Sequence, residues 1–316
     1  MFPLLSKWAS FVKFSHTVFA LPFALAAMLL AARDSRGWPG WRVFLLILAA
    51  MVGGRTCAMA FNRIVDRRFD ALNPRTAGRH LPAGTISLLS AVTLCVLSGA
   101  VLVGASWALN PLCFALSPVA LFLVCFYSLT KRFTDFTHFW LGIALAVAPV
   151  GAWLAVKGGL EFLPRDPQGA LQLSRSAFVP LTMAVSVLLW LFGFDIIYAT
   201  QDYEFDRRQR LRSLVVRWGP QNALGVAFIA HVLLWGVLAL FGVVAAFRLA
   251  YWLGLMVIGV LLFLEHLFAR KRDTHSVNVA FFKLNGVISV LFLGVVAVEV
   301  VFPWFRVRWT DGFPAF

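Results

Sequence analysis

Two short acidic stretches hold the residues best suited to chemistry in an otherwise charge-poor chain. The first reads Asn62-Arg-Ile-Val-Asp66-Arg-Arg-Phe-Asp70, and the second reads Asp195-Ile-Ile-Tyr198-Ala-Thr-Gln-Asp202-Tyr-Glu-Phe-Asp206. At about 100° per residue, Asn62, Asp66 and Asp70 share one face if a helix continues through them. Asp195, Tyr198, Asp202 and Asp206 form a similar narrow stripe. Like charges this close raise one another's pKa unless a cation intervenes. Hard oxygen donors with open positions suit Mg2+, which takes one or two carboxylates plus water and substrate phosphate rather than an all-protein cage. Two Asp-x-x-x-Asp pairs are thus matched to metal ions spanning a diphosphate. Arg67, Arg68, Arg75, Arg79, Lys131, Arg132, Arg207 and Arg208 would add positive charge around it. A pair of solvated, salt-bridged loops is the plainer alternative. It leaves unexplained why the acidic stripes continue into apolar sequence.

That apolar sequence dominates the chain. Of 316 residues, 61% are hydrophobic and 13% charged, and mean hydropathy is +0.84. A soluble domain carries roughly 25% charged residues, so this composition excludes a disordered chain, a disulfide scaffold and a soluble α/β enzyme. It describes a polytopic, all-α membrane protein. Lys and Arg outnumber Asp and Glu by 28 to 14. Because the cations cluster between apolar blocks, the partners they imply are the lipid bilayer and a phosphorylated substrate, with no nucleic acid. Cys57, Cys95, Cys113 and Cys125 lie in apolar stretches without metal-ligand spacing and read as small buried hydrophobes.

A bilayer-spanning helix needs about 20 mostly apolar residues. Nine segments qualify: 16–32, 41–61, 88–108, 111–129, 138–156, 178–198, 222–246, 249–269 and 281–302, with Asn110-Pro111 and Gly219-Pro220 marking junctions. The chain reads as one membrane-embedded domain, 1–316. Residues 1–15 form an interfacial helix rather than a secretory signal, and 62–87 and 199–221 form loops at the acidic side. With the amino terminus inside, 17 Lys and Arg face the cytoplasm and nine face the other side. The positive-inside rule therefore puts the amino terminus and both acidic stretches on the cytoplasmic side. The two Asp pairs are four spans apart, which suggests two related four-helix halves around a central cavity with a ninth helix appended. Glu265 is expected at an interface beside His266, and Glu299 is expected to be isolated. Arg55, about 10 Å deeper than Asn62 on the same face, must point into an internal cavity to be tolerated.

The stretches 62–70, NPRTAGRHLPAG (73–84), YSLTKR (127–132) and DIIYATQDYEFD (195–206) resemble the UbiA superfamily of intramembrane prenyltransferases over almost the whole chain. The resemblance implies transfer of a polyprenyl group from polyprenyl diphosphate to a carbon of an aromatic acid acceptor, in a bacterial inner membrane, for quinone biosynthesis. It implies Mg2+–diphosphate binding by Asn62, Asp66, Asp70, Asp202 and Asp206, and diphosphate contacts from Lys131 and Arg132, with help from Arg75 and Arg79. Arg55 would meet the acceptor carboxylate, and Tyr127, Asp195 and Tyr198 would line the same chamber. The opening His16-Thr-Val-Phe-Ala-Leu-Pro22-Phe-Ala resembles a bacterial subgroup that includes 4-hydroxybenzoate-type enzymes and enzymes acting on 1,4-dihydroxy-6-naphthoate for menaquinone. The rival class is a cation transporter or channel, in which inward-facing carboxylates mark an ion path. CDP-alcohol phosphotransferases, lipid diphosphatases and haem O synthases are further alternatives.

Overall fold

The structure is a computed structural model that describes residues 2–13, 17–160, 175–271 and 274–302. His16, Arg165, Arg272, Arg306 and Arg308 lie outside the described residues. Every regular element among the described residues is helical. Helices α1 (Phe2–Phe11) and α2 (Thr17–Ala31) lead into α3 (Trp41–Leu72), α4 (Leu88–Leu109), α5 (Pro111–Phe126) and α6 (Thr137–Lys157). The second part holds α7 (Arg175–Ala199), the short α8 (Tyr203–Arg208), α9 (Leu214–Val244), α10 (Leu249–Ala269), the short α11 (Thr274–Asn278) and α12 (Asn285–Val301). Eight stretches among the described residues are long and apolar enough to cross a membrane. The expected first span appears as α2, whose 15 residues extend about 22 Å, short of a hydrocarbon core of roughly 30 Å.

Chain-order neighbours pack in sequence from α3 to α7 and on through α9 and α10 to α12, and α2 closes the ring by lying against α12 and α6. Outward faces are apolar and bare: Leu89 is 77% and Trp107 71% exposed. Such surfaces would aggregate in water and are satisfied by lipid.

Helix length places the acidic residues. At 32 residues, α3 is about 48 Å long and outlasts the bilayer core. Asn62, Asp66 and Asp70 therefore stand on its last turns, and the stretch expected to be a loop from residue 62 begins only after Leu72. The second expected loop, 199–221, is also largely helical. A 3₁₀ turn at Thr200–Asp202 tightens the end of α7 and runs into α8, and α9 starts at Leu214 before breaking at Gly219. Helix starts are capped as their sequences require: the Ser87, Asn110 and Ser213 side chains accept from the backbone N–H of Ser90, Cys113 and Val216.

Two glycines set the close crossings that aim the stripes inward. A Cβ on Gly53 of α3 would lie 2.8 Å from the Ser98 carbonyl oxygen of α4, and one on Gly142 of α6 would lie 2.9 Å from the Leu188 carbonyl oxygen of α7. Small residues at such crossings let backbones approach where no hydrophobic drive operates between helices.

The second half is knotted by polar contacts inside the bilayer. Trp190 Nε1 donates to Asn285 Oδ1 at 2.6 Å, Asn285 Nδ2 donates to Glu265 Oε1 at 2.8 Å, and the His231 and His266 rings meet at 3.0 Å. Glu265 is thus fully buried and held by Asn285 rather than isolated. Glu299 is not isolated either, because its carboxylate accepts the backbone N–H of Arg248 and Tyr251, both at 3.1 Å. Polar groups in a membrane are tolerated when they find such partners.

Gly142→Ala forces a methyl group against backbone that cannot step aside. It is expected to cost about 1–3 kcal/mol, read as a lower unfolding temperature in detergent; an unchanged temperature would show that α6 and α7 separate freely.

Candidate active site

Four elements converge at one end of the bundle. They are the end of α3 with the loop after it, the 3₁₀ turn Tyr127–Arg132 that prolongs α5, the first turn of α6, and the end of α7 with α8. Between them lies a polar chamber of about 200 Å³. Asn62, Asp66, Asp70, Arg75, Arg79, Tyr127, Lys131, Arg132, Asp195, Tyr198, Asp202 and Asp206 all line it. Of the candidates named from sequence, Arg55, Arg67, Arg68, Arg207 and Arg208 are absent from this lining. The two acidic stretches therefore face one another across a single space, although the 3₁₀ turn before Tyr203 means that Asp195 and Asp206 do not ride on one continuous helix.

Four of the carboxylates meet a cation brought from elsewhere in the chain, and the fifth meets a histidine. Arg132 Nη2 donates to Asp66 Oδ1 at 3.1 Å, and Asn62 Nδ2 donates to Asp66 Oδ2 at 3.0 Å. Arg79 Nη1 donates to Asp70 Oδ1 at 2.6 Å, and Lys131 Nζ reaches Asp206 Oδ2 at 3.5 Å. Arg75 grips both oxygens of Asp202, with Nε 2.8 Å from Oδ1, and its Nη1 donates to the Tyr198 hydroxyl at 3.0 Å. Asp195 Oδ2 lies 2.7 Å from Nδ1 of His138.

The loop is wound so that its arginines turn back into the chamber. Asn73 Oδ1 accepts the Arg75 backbone N–H at 2.9 Å, Asn73 Nδ2 donates to Asp202 Oδ1 at 3.1 Å, and the Thr76 hydroxyl donates to the Asp70 carbonyl oxygen at 3.0 Å. The short Asn-backbone turn is the local preference of that residue type. Burial works against the charge on Arg75. Its hydrogen bond to Asp202, with Tyr198 and the Asp202 charge, outweighs burial and holds its pKa above the ordinary guanidinium value. At the mouth, burial and then Arg63, Arg79 and Arg75 push the Lys13 pKa down. Burial followed by Lys7, Arg63 and Lys13 does the same to His80. The mouth is a region of positive potential that draws in anions.

A second cavity of about 250 Å³ adjoins the first among α3, α4, α5 and α6, lined almost wholly by apolar side chains. Arg55 and Tyr127 belong to it, and Tyr127 borders both spaces. The Arg55 Nε is buried without a hydrogen-bond partner. Leu116 and Val119, also in the lining, are exposed on the outer face of α5, so the cavity reaches the lipid side.

The donor set fits Mg2+. All the candidate ligands are hard oxygens, and Asp70 Oδ2 is buried without a hydrogen bond, with Arg63 Nη1 3.9 Å away. Among the described residues no three His, Cys, Asp or Glu side chains converge on one point. An ion there would take one or two carboxylates and complete its shell with phosphate and water, as Mg2+ does.

A family profile described as the UbiA prenyltransferase family matches residues 20–287. The chain belongs to the UbiA prenyltransferase family. It is 31% identical over 265 residues to a 4-hydroxybenzoate octaprenyltransferase of Methylobacillus flagellatus, covering 83% of each chain. The apo structure of a UbiA homolog from Aeropyrum pernix superposes with a TM-score of 0.77 at 29% identity, covering 90% of this chain and 98% of that one. A UbiA homolog from Archaeoglobus fulgidus, bound to GPP and Mg2+, superposes with a TM-score of 0.69 at 19% identity over 93% of this chain and 99% of its own, which is a likeness of fold.

Membership of the UbiA family makes the chain a prenyltransferase. That decides against a transporter, a CDP-alcohol phosphotransferase or a lipid diphosphatase. Five polar chamber residues were missed from sequence: Asn73, Thr76, Ser128, Thr137 and His138. Of these only His138 left a signal, because an Asp195 inside apolar sequence requires a buried partner.

Asn73→Ala removes one donor to Asp202 and the turn that aims Arg75. Prenyl-transfer efficiency is expected to fall about tenfold or more, the scale of a hydrogen bond to a charged group. Wild-type kcat/KM in reconstituted vesicles would show that the loop holds itself.

Proposed function

We propose that this enzyme transfers a polyprenyl group from its diphosphate to a ring carbon of an aromatic carboxylate of the 4-hydroxybenzoate type, with Mg2+ as cofactor. The observation that carries this is the pairing of two spaces across Tyr127: a polar chamber walled by matched acids and cations, and an apolar cavity holding the partnerless Nε of Arg55. The diphosphate occupies the polar chamber. There Arg75, Arg79, Lys131 and Arg132 exchange their carboxylate partners for phosphate oxygens. Asn62, Asp66, Asp70, Asp202 and Asp206 would hold Mg2+, whose charge offsets that of the diphosphate.

Departure of the diphosphate concentrates negative charge on its oxygens, and fixed cations in a space poor in water stabilise that charge strongly. The allylic carbon left behind carries positive charge and needs a π surface rather than water. Tyr127, at the junction, offers one. Arg55 takes the acceptor carboxylate in the apolar cavity, which pairs a buried guanidinium with the anion it otherwise lacks. The excess of Lys and Arg at the acidic end supports a cytoplasmic mouth in a bacterial inner membrane. The relatives' name favours 4-hydroxybenzoate, while the His16-to-Ala24 opening suits 1,4-dihydroxy-6-naphthoate equally well; both are flat aromatic carboxylates.

Asp66→Ala and Asp202→Ala are each expected to abolish incorporation of labelled prenyl diphosphate while the protein still inserts; near-normal turnover in either variant removes the site. Arg55→Ala, assayed with both acids at saturating donor, should raise KM for the acceptor well beyond that for the donor. Equal effects on the two would refute its role, and the better wild-type acid identifies the acceptor.

A further inference from the structure

Four of the five chamber carboxylates are matched by permanent cations: Asp66 by Arg132, Asp70 by Arg79, Asp202 by Arg75 and Asp206 by Lys131. Asp195 is the exception. Its partner is His138 on the first turn of α6, with Nδ1 2.7 Å from Asp195 Oδ2. The imidazole side chain is wholly buried, whereas that of Asp195 is 22% exposed. The other ring nitrogen, Nε2, is buried without a hydrogen-bond partner. A buried histidine with one polar partner is held there for that partner, since an unused ring nitrogen away from water is a cost without a structural return.

Substitution on an aromatic ring supplies the need. As the allylic C–O bond breaks, its electron pair leaves with the diphosphate, and a π pair of the acceptor ring forms the new C–C bond. The ring carbon then carries both the prenyl group and its original hydrogen. Aromaticity returns when that hydrogen departs as a proton and its C–H pair rejoins the ring. The proton requires a base. Carboxylates clamped by Arg or Lys, or engaged with a metal, are poor ones, because a neighbouring positive charge favours their ionised form.

Resting on the function proposed above, we infer that Asp195 is the catalytic residue that accepts the ring proton, and that His138 is the positioning residue that holds its carboxylate toward the chamber. Asp195 lines that chamber one turn before Tyr198. His138 presents a donor that orients one carboxylate oxygen without a fixed charge, leaving the other oxygen for the proton. The close crossing at Gly142, one turn along α6 from His138, brings the pair together.

The test uses full-length enzyme in vesicles, with an acceptor deuterated at the carbon that is prenylated. In the wild type, ring-proton loss follows C–C bond formation and gives an isotope effect near unity. Asp195→Asn keeps size and removes basicity. It is expected to lower kcat about 100-fold or more, the range of general-base loss, with donor KM little changed and a primary isotope effect newly visible. His138→Phe should produce a smaller effect of the same kind. His138→Asn, whose amide nitrogen can replace the Nδ1 donor, should recover most of it. The inference is overturned if Asp195→Asn retains wild-type kcat, if its kcat falls with no isotope effect, or if donor KM rises in step. It is also overturned if His138→Phe lowers only the unfolding temperature. A wild type that prenylates neither aromatic acid instead refutes the function on which this rests.

Discussion

A carboxylate beside a bilayer core survives only if a cation, a metal ion or a hydrogen-bond donor meets it, and this constraint organises the molecule. Taking a charge out of water costs several kcal/mol, and stranding one member of a buried pair costs about 3–5 kcal/mol. The partners here come from far along the chain: Arg75 and Asp202 are 127 residues apart, Lys131 and Asp206 are 75 apart, and Arg132 and Asp66 are 66 apart. Two of these pairs join the first half to the second. Charge neutralisation therefore fastens the halves together at the mouth, where apolar packing between helices gives little because lipid is equally apolar.

The same pairs explain how a site rich in acids can wait for an anion. Without substrate, acids and bases satisfy one another. On the proposed function, a diphosphate with its metal would offer these side chains stronger partners, the cations turning to phosphate and the carboxylates to metal. Little backbone needs to move, because the arginines ride on a loop pinned by Asn73 and Thr76.

The two halves divide their duties. The α7–α12 half is packed tightly around Trp190, Phe241 and Phe292, with an internal polar knot. The α3–α6 half keeps a cavity that reaches the lipid side, and its α5 is the least buried of the spans. On the proposed function, the tightly packed half would serve as rigid backing while the other makes room for apolar reactants. The π-helical turn Val279–Leu284 before α12 links the two functions. It brings Phe281 within 4.2 Å of the Tyr198 ring, against the chamber wall.

Composition alone determined that the chain is a bundle in a membrane, because no soluble surface can be made from so few charges. Local spacing picked out the residues proposed to do chemistry, since an aspartate repeated every fourth position along apolar sequence has few other uses. Helix extent was less legible: hydropathy ends where the bilayer does, whereas hydrogen bonding carries α3 on to Leu72. What only the tertiary structure decided was partnership. Sequence shows that Asp195 needs a neighbour, but His138, 57 residues away, is chosen by the crossing of α6 over α7. Likewise Glu265 looks interfacial beside His266 until Asn285 from another helix reaches it. Type and period are written along the chain; which side chains meet depends on how helices pack, and packing is a property of all of them at once.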